Sequence, residues 1–264
     1  ISDSTGETLD RIFTAIKAQF KNINYKINTY SFTRTENQIF KILSEAEKDT
    51  KSIILYSIVD SNLAKYLANI SSEKKIPCFG VLGDLILSFS KLLNQKASHE
   101  PSGQHALNDE YYKRIEAIQF TMAHDDGKKL DDISSSDIVL LGVSRTSKTP
   151  TSIYLANRGY KTVNIPLVMD QNIPEDLKSQ NNKTCTIGLI ADPERLADIR
   201  RNRVAIMREN RIKEYTSLES IKDEVNQSKQ LFKKHNWPII DVTRKSVEET
   251  AASILKIFEI QKNK

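Results

Sequence analysis

Cysteine is almost missing from this chain. Cys78 and Cys185 are the only two in 264 residues. They stand far apart without ligand-like spacing, which argues against a disulfide framework and a zinc site and points to a reducing, cytoplasmic setting. Long apolar runs are missing too. No stretch approaches the ~20 residues of a membrane span, so no membrane partner is expected. The opening Ile1-Ser2-Asp3 carries neither an initiator Met nor a signal-peptide pattern and resembles the middle of a strand, so further residues are expected before it. There is one Trp, and no repeat or low-complexity tract interrupts the chain. Lysines are spread along it rather than gathered with aromatics, and the net charge is only +5, which argues against a nucleic-acid partner. What remains is 39% hydrophobic and 28% charged, the composition of a globular chain long enough for one large or two modest domains.

Helix and strand patterns alternate. Leu9, Ile12, Phe13, Ile16 and Phe20 fall at helical spacing. Lys51–Ile58 forms a strand pattern, Leu63, Tyr66, Leu67 and Ile70 a helix, and Pro77–Leu82 a second strand, with Asp84 placed to cap a helix reaching Leu93. The polar, turn-rich stretch Asn94–Asn108 then breaks the pattern. Beyond it the spacing predicts a helix near Asp109–Met122 and strands at Asp137–Gly142, Thr162–Leu167, Thr184–Ala191 and Pro238–Val242. Helices are predicted from Pro193, near Leu218–Lys233, and after the capping-box pattern Ser246–Glu249. The expectation is an α/β fold: a mostly parallel βαβα domain over residues 1–100, then a phosphate-loop-kinase-like α/β domain over residues 101–264.

The most informative stretch is Asp137–Pro150. A continuous apolar run, as in a strand covered on both faces, leads into a short turn and at once into a helix. Gly142, Val143, Ser144, Arg145, Thr146, Ser147, Lys148 and Thr149 have the spacing of G-x-x-x-x-G-K-[ST], with Ser147 in place of the second glycine. In such a loop backbone N–H groups and a lysine meet phosphates at a helix N-terminus. Lys148 would neutralise a terminal phosphate and Thr149 would offer its hydroxyl to Mg²⁺. If position 147 needs positive φ, serine costs about 1 kcal/mol or more there.

Other groups leave alternatives open. Asp125 and Asp126 before Gly127 can supply a magnesium ligand and a base that positions a hydroxyl, although Asp and Gly are also what a helix-ending turn selects. Asp192 follows a buried strand, where a metal ligand can sit, but it is also a natural cap for the helix from Pro193. Six of the twelve arginines lie between Arg195 and Arg211. On a helical wheel Leu196, Ile199, Val204, Ile206 and Met207 share an apolar face with Arg200 and Arg203, while Arg201 and Arg208 lie outside it. Arginines on such a face either grip phosphates, as in a lid, or form buried ion pairs. Ser4 and Glu7 have capping-box spacing, and the hydroxyls around them can equally meet an anion.

Several stretches together resemble the regulatory proteins of pyruvate, phosphate dikinase and of phosphoenolpyruvate synthase. They are Ser2–Gly6, Glu100–His105, Ala117–Gly127, Gly142–Leu155, Asn164–Leu167, Pro193–Arg200 and Ile240–Ala251. The Thr146-Ser147 pair and Asn164–Pro166 are similar to the dikinase branch. The resemblance implies a bifunctional enzyme. It phosphorylates a threonine of the dikinase with ADP as donor, and removes the group by phosphorolysis with inorganic phosphate, releasing pyrophosphate. It also implies a nucleotide site on Gly142–Thr149, and it favours catalytic roles for Asp125, Asp126 and Arg200 beside Lys148. Three rivals remain: the same chemistry on the synthase, a small-molecule kinase with the arginine helix as lid, and a nucleotide-sensing module without catalysis. A homo-oligomer is left open.

Overall fold

The computed structural model describes residues 1–103, 107–168, 173–178, 184–207 and 213–263. The chain divides into two compact units, residues 1–106 and residues 107–264.

The first unit holds α1 (Glu7–Lys17), α2 (Glu36–Ala46), β1 (Ile54–Tyr56), α3 (Ser61–Glu73), β2 (Cys78–Gly80) and α4 (Gly83–Leu93). β1 and β2 pair in parallel, and Ser2 bridges to Ser57 in the same sense. The core gathers Ile39, Leu43, Ile54, Ile58, Leu67 and Ile76. The two strands are shorter than their apolar runs because only three residues of each find a ladder partner. Helix α2 has no counterpart in the hydrophobic spacing described above, although its start is written in Thr35 and Gln38. The Thr35 hydroxyl accepts from the Gln38 N–H at 3.3 Å, and the Gln38 carboxamide accepts from the Thr35 N–H at 3.1 Å. The expected Ser4–Glu7 box does not form. α1 is capped by Gly6 at φ 88°, and the Ser4 hydroxyl instead accepts from Ser102 at 2.8 Å. Asp84 lies inside the first turn of α4 rather than capping it.

In the second unit α5 (Asp109–Ala123) leads through a 3-10 turn at Asp125–Gly127 to β3 (Ile138–Gly142), then α6 (Lys148–Ala156) and β4 (Thr162–Pro166). The short α7 (Glu175–Lys178), β5 (Cys185–Ile190), α8 (Pro193–Met207), α9 (Lys213–Thr216), α10 (Leu218–Lys234), β6 (Ile239–Asp241) and α11 (Val247–Lys262) complete it. The four strands are parallel in the order β4-β3-β5-β6, which makes the fold α/β.

β3 lies between two neighbours and every residue of it is buried. Period-two alternation sends Ile138 and Leu140 into a core with Leu155, Ile187 and Ile254. Val139 and Leu141 enter a second core with Ile133, Val163 and Phe232. At roughly 1.5–3 kcal/mol for each large apolar side chain, these four stabilise on the order of 10 kcal/mol, so the end of β3 is a rigid platform. Gly142 closes the strand. A Cβ there would come within 2.5 Å of the Leu189 carbonyl on β5, so only glycine lets the strands pair at this point. Among the described residues no helix is long and apolar enough to cross a membrane.

Candidate functional site

The chain leaves β3 at Gly142 and enters α6 at Lys148. Between them Arg145 and Ser147 take positive φ, 76° and 56°. Ser147 therefore sits in the left-handed region the motif reserves for glycine, with the strain expected of a residue bearing a Cβ. Helix α6 begins two residues before Pro150, whose missing N–H still falls in the unpaired first turn. Thr146, fully buried, ties the loop to itself by donating to the Val143 carbonyl at 2.9 Å.

The Lys148 side chain runs inward rather than to solvent. It is 7% exposed, and Nζ donates to the Val143 carbonyl at 2.9 Å. Burial pulls its pKa down to about 8. The nearby Asp126 and Asp125 charges oppose that shift, while Arg200 and Arg145 reinforce it. Among the described residues no carboxylate forms an ion pair with this ammonium, so the cation is held in poor solvation with only the carbonyl of Val143 in contact.

Asp125 and Asp126 are in a turn, as their composition favours, and the turn is also aimed at the loop. Two contacts fix it. The His124 ring stacks on Phe120 with Nδ1 2.7 Å from the Phe120 carbonyl, and the His124 carbonyl accepts from the Asn164 N–H at 3.3 Å. Asp125 then accepts from the Thr149 hydroxyl at 3.0 Å and from the Asn164 amide at 2.5 Å, while that amide also donates to the Thr149 hydroxyl at 2.9 Å. Asn164 is 1% exposed on β4, and its Oδ1 has no partner among the described residues. Such a group costs about 1–3 kcal/mol and calls for an explanation. Asp126 takes φ 57° at the exposed tip of the turn. Among the described residues no group of three or more His, Cys, Asp or Glu gathers. The Thr149 hydroxyl and Asp125 carboxylate are the hard oxygens that Mg²⁺ takes.

Arg200 forms the buried ion pair. Fully buried, its two terminal nitrogens meet both Glu224 oxygens, at 3.1 and 2.6 Å. The same nitrogens donate to the Tyr215 carbonyl at 3.2 Å and the Ser144 carbonyl at 3.3 Å. The guanidinium lies 4.7 Å from the centre of the Tyr215 ring, and the Tyr215 and Ser144 hydroxyls are 2.9 Å apart. Burial alone would raise the Tyr215 phenol. Its hydrogen bonds to Ser144 and Arg145, with the Arg145 and Arg200 charges, outweigh that and hold it below its ordinary value. Nε of Arg145 is buried without a partner among the described residues.

The structure thus brings together Gly142–Thr149 and Asp125, with Arg200 reaching them through the Ser144 carbonyl. Arg203, expected beside Arg200, is exposed, because among the described side chains the buried side of α8 runs through Leu196, Ala197 and Arg200. Asp192 caps α8, accepting from the Arg195 N–H at 3.0 Å. Arg208, Gln104 and His105, and the side chains of Ile206 and Met207, lie outside the described residues. Asn164, Tyr215 and Glu224 also belong to the cluster, beyond the residues expected from the sequence. A polar residue inside the buried run of β4 was a signal for Asn164, since amides are costly to bury. Tyr215 and Glu224 carried none.

Residues 1–255 match the kinase/pyrophosphorylase family. A protein of Pelagibacter ubique (strain HTCC1062), named "Putative pyruvate, phosphate dikinase regulatory protein", is 66% identical over 263 residues, 100% of this chain and 96% of that one. Proteins given the same name in Chelativorans sp. (strain BNC1) and Ehrlichia chaffeensis are each 43% identical. The matches cover 97% and 98% of this chain and 94% of each relative. A strand, a lysine-bearing turn and a helix in the arrangement above, within a chain matched almost end to end, lead to one assignment: this chain belongs to the kinase/pyrophosphorylase family.

Proposed function

We propose that this chain regulates pyruvate, phosphate dikinase by moving a phosphoryl group on and off one of its threonines. In one direction the threonine hydroxyl attacks the terminal phosphorus of ADP, and AMP leaves. In the other, inorganic phosphate attacks the phosphothreonine, pyrophosphate leaves and the hydroxyl is restored. The names of the relatives support the target, and the family description supports the two reactions. The observation that carries the site is Lys148, an ammonium buried at the start of α6 with no ion pair among the described residues.

Phosphoryl transfer asks a protein for position and charge neutralisation rather than covalent help. Backbone N–H groups of Val143–Ser147 and the first turn of α6 hold the diphosphate. Lys148 neutralises its terminal group, and Arg145, whose buried Nε has no partner among the described residues, adds a second cation. A magnesium ion, when bound, offsets charge on the phosphate oxygens, and Thr149 would hold it. Asp126, exposed and close enough for its charge to act on Lys148, orients the acceptor hydroxyl and takes its proton. Arg200 is a positioning residue here, because it holds the loop through the Ser144 carbonyl. Since pyrophosphate and the ADP diphosphate are alike, one cradle serves both directions.

The test is mass spectrometry of purified dikinase after incubation with this protein, ADP and Mg²⁺. One new phosphothreonine should appear, then disappear with pyrophosphate release once inorganic phosphate is supplied. Lys148→Ala should abolish both steps. Loss of only one would mean two separate sites, and absence of any ADP-dependent phosphothreonine would reject the assignment.

A further inference from the structure

We propose that Asn164 completes, with Asp125 and Thr149, a three-oxygen cradle for the divalent cation that accompanies the nucleotide, and that its amide turns over when the cation enters. The inference rests on the phosphate-loop reading above and adds a residue and a movement to it.

The three side chains come from three elements: the turn after α5, the first turn of α6 and the middle of β4. Their polar atoms form a triangle with edges of 3.0, 2.9 and 2.5 Å. Magnesium binds oxygen at about 2.0–2.1 Å in an octahedron, which puts neighbouring ligands about 2.8–3.0 Å apart. Two edges already match one face of that octahedron, and the third needs the Asp125 carboxylate to withdraw by a few tenths of an ångström.

What does not match is the chemistry at one corner. Asn164 presents its NH₂, a donor, to Asp125 and Thr149, while its carbonyl oxygen faces away, buried and without a partner among the described residues. Without a cation this orientation is the favourable one, because a carbonyl turned toward a carboxylate would be repelled. A half-turn of the amide plane exchanges Nδ2 and Oδ1 at almost no change in shape. With a cation seated above the face, at the centre of the octahedron, the preference reverses. Oδ1 then becomes a ligand, and the Thr149 hydroxyl turns its proton away from Asp125 to present a lone pair. Asp125 becomes a metal ligand rather than a base, leaving Asp126 as the carboxylate of that pair free to meet the acceptor hydroxyl.

Mn²⁺ is a suitable probe, since its paramagnetic resonance reports both binding and the number of coordinated waters. In the full chain with ADP, Asn164→Leu should weaken Mn²⁺ binding by roughly 10–100-fold. Spectra in ¹⁷O-labelled water should count one more water ligand than in wild type. Calorimetry without metal should give the same ADP affinity for both proteins. Asn164→Asp, which keeps the shape and an oxygen, should retain Mn²⁺ binding, and it carries the test if the leucine variant fails to fold. Unchanged Mn²⁺ affinity and water count in a folded Asn164→Leu protein would overturn the cradle, as would loss of Mn²⁺ binding in a folded Asn164→Asp protein. If wild type binds ADP but gains nothing from Mn²⁺, the cradle alone falls. If wild type binds no ADP with or without metal, the phosphate-loop reading falls with it.

Discussion

At the scale of single residues the molecule spends stability where it needs charge. Lys148 is the clearest case, a side chain 7% exposed whose pKa burial lowers from 10.5 to about 8. Below pH 8 both folded and unfolded chains hold the proton, so the fold bears the full cost of burying an ammonium. Between pH 8 and 10.5 the unfolded chain holds more protons than the folded one, so the native state gains about 1.4 kcal/mol per pH unit. Lys148→Met should therefore stabilise the protein at pH 7, by roughly 1–3 kcal/mol in urea titrations, while eliminating ADP binding in calorimetry. The advantage of the variant should shrink as pH is raised from 8 to 10.5. A variant no more stable than wild type at pH 7 would mean that Lys148 is better solvated than its burial indicates. Lys148 was legible because its spacing from Gly142 is local. The inward aim of its ammonium was not, because that depends on groups brought in from distant parts of the chain, such as Asp126 and Arg200.

Among the elements, local chemistry and helix geometry account for different things. The capping box at Ser246 is formed as written, with Ser246 and Glu249 exchanging hydrogen bonds at 2.8 and 3.1 Å. Its counterpart at Ser4 is not, because α1 begins at Glu7 with Gly6 as its cap, and the Ser4 hydroxyl accepts instead from Ser102, nearly a hundred positions away. Helix α8 shows the same limit. A helical wheel puts Arg200 and Arg203 in one sector, yet only Arg200 lies under α10, where Glu224 meets it. This contact yields a prediction at the level of helix packing. Glu224→Ala leaves a fully buried guanidinium without its counter-ion and should cost roughly 3 kcal/mol, near the low end for a broken buried pair since Glu224 keeps some solvent contact. The double change Arg200→Met, Glu224→Leu should recover most of that in chemical denaturation, because apolar groups of similar volume need no partner. If the double variant is as unstable as Glu224→Ala, the cost lies in packing rather than in the stranded charge.

For the molecule as a whole, the two units are self-sufficient in their cores. Ile39, Leu43 and Leu67 pack with residues of the first unit, and among the described residues the clusters on both faces of the four-stranded sheet draw on the second unit alone. Each unit therefore builds a core from its own residues, although the first also leaves Leu85, Phe89 and Leu92 exposed. A fragment spanning residues 107–264 should unfold cooperatively on heating and bind ADP with affinity comparable to the full chain. A fragment without a cooperative transition would show that its core is incomplete alone. The lapse of pattern in the sequence places the break near residue 100, and the chain divides after residue 106.

The sequence by itself determined what depends on neighbours along the chain: the alternation of helices with strands, the caps at Asp192 and Ser246, and the turn carrying Lys148 and Thr149 between β3 and α6. Periodicity and capping act over three or four residues, so they are written locally. Only the tertiary structure decided which of the remaining polar groups matter. It set Asn164 of β4 beside Asp125 and Thr149, paired Arg200 with Glu224, and left Arg203 in solvent. Those outcomes turn on which strand lies beside which and which face of a helix meets a neighbour. No spacing along the chain encodes that, because the partners are 15 to 39 positions apart.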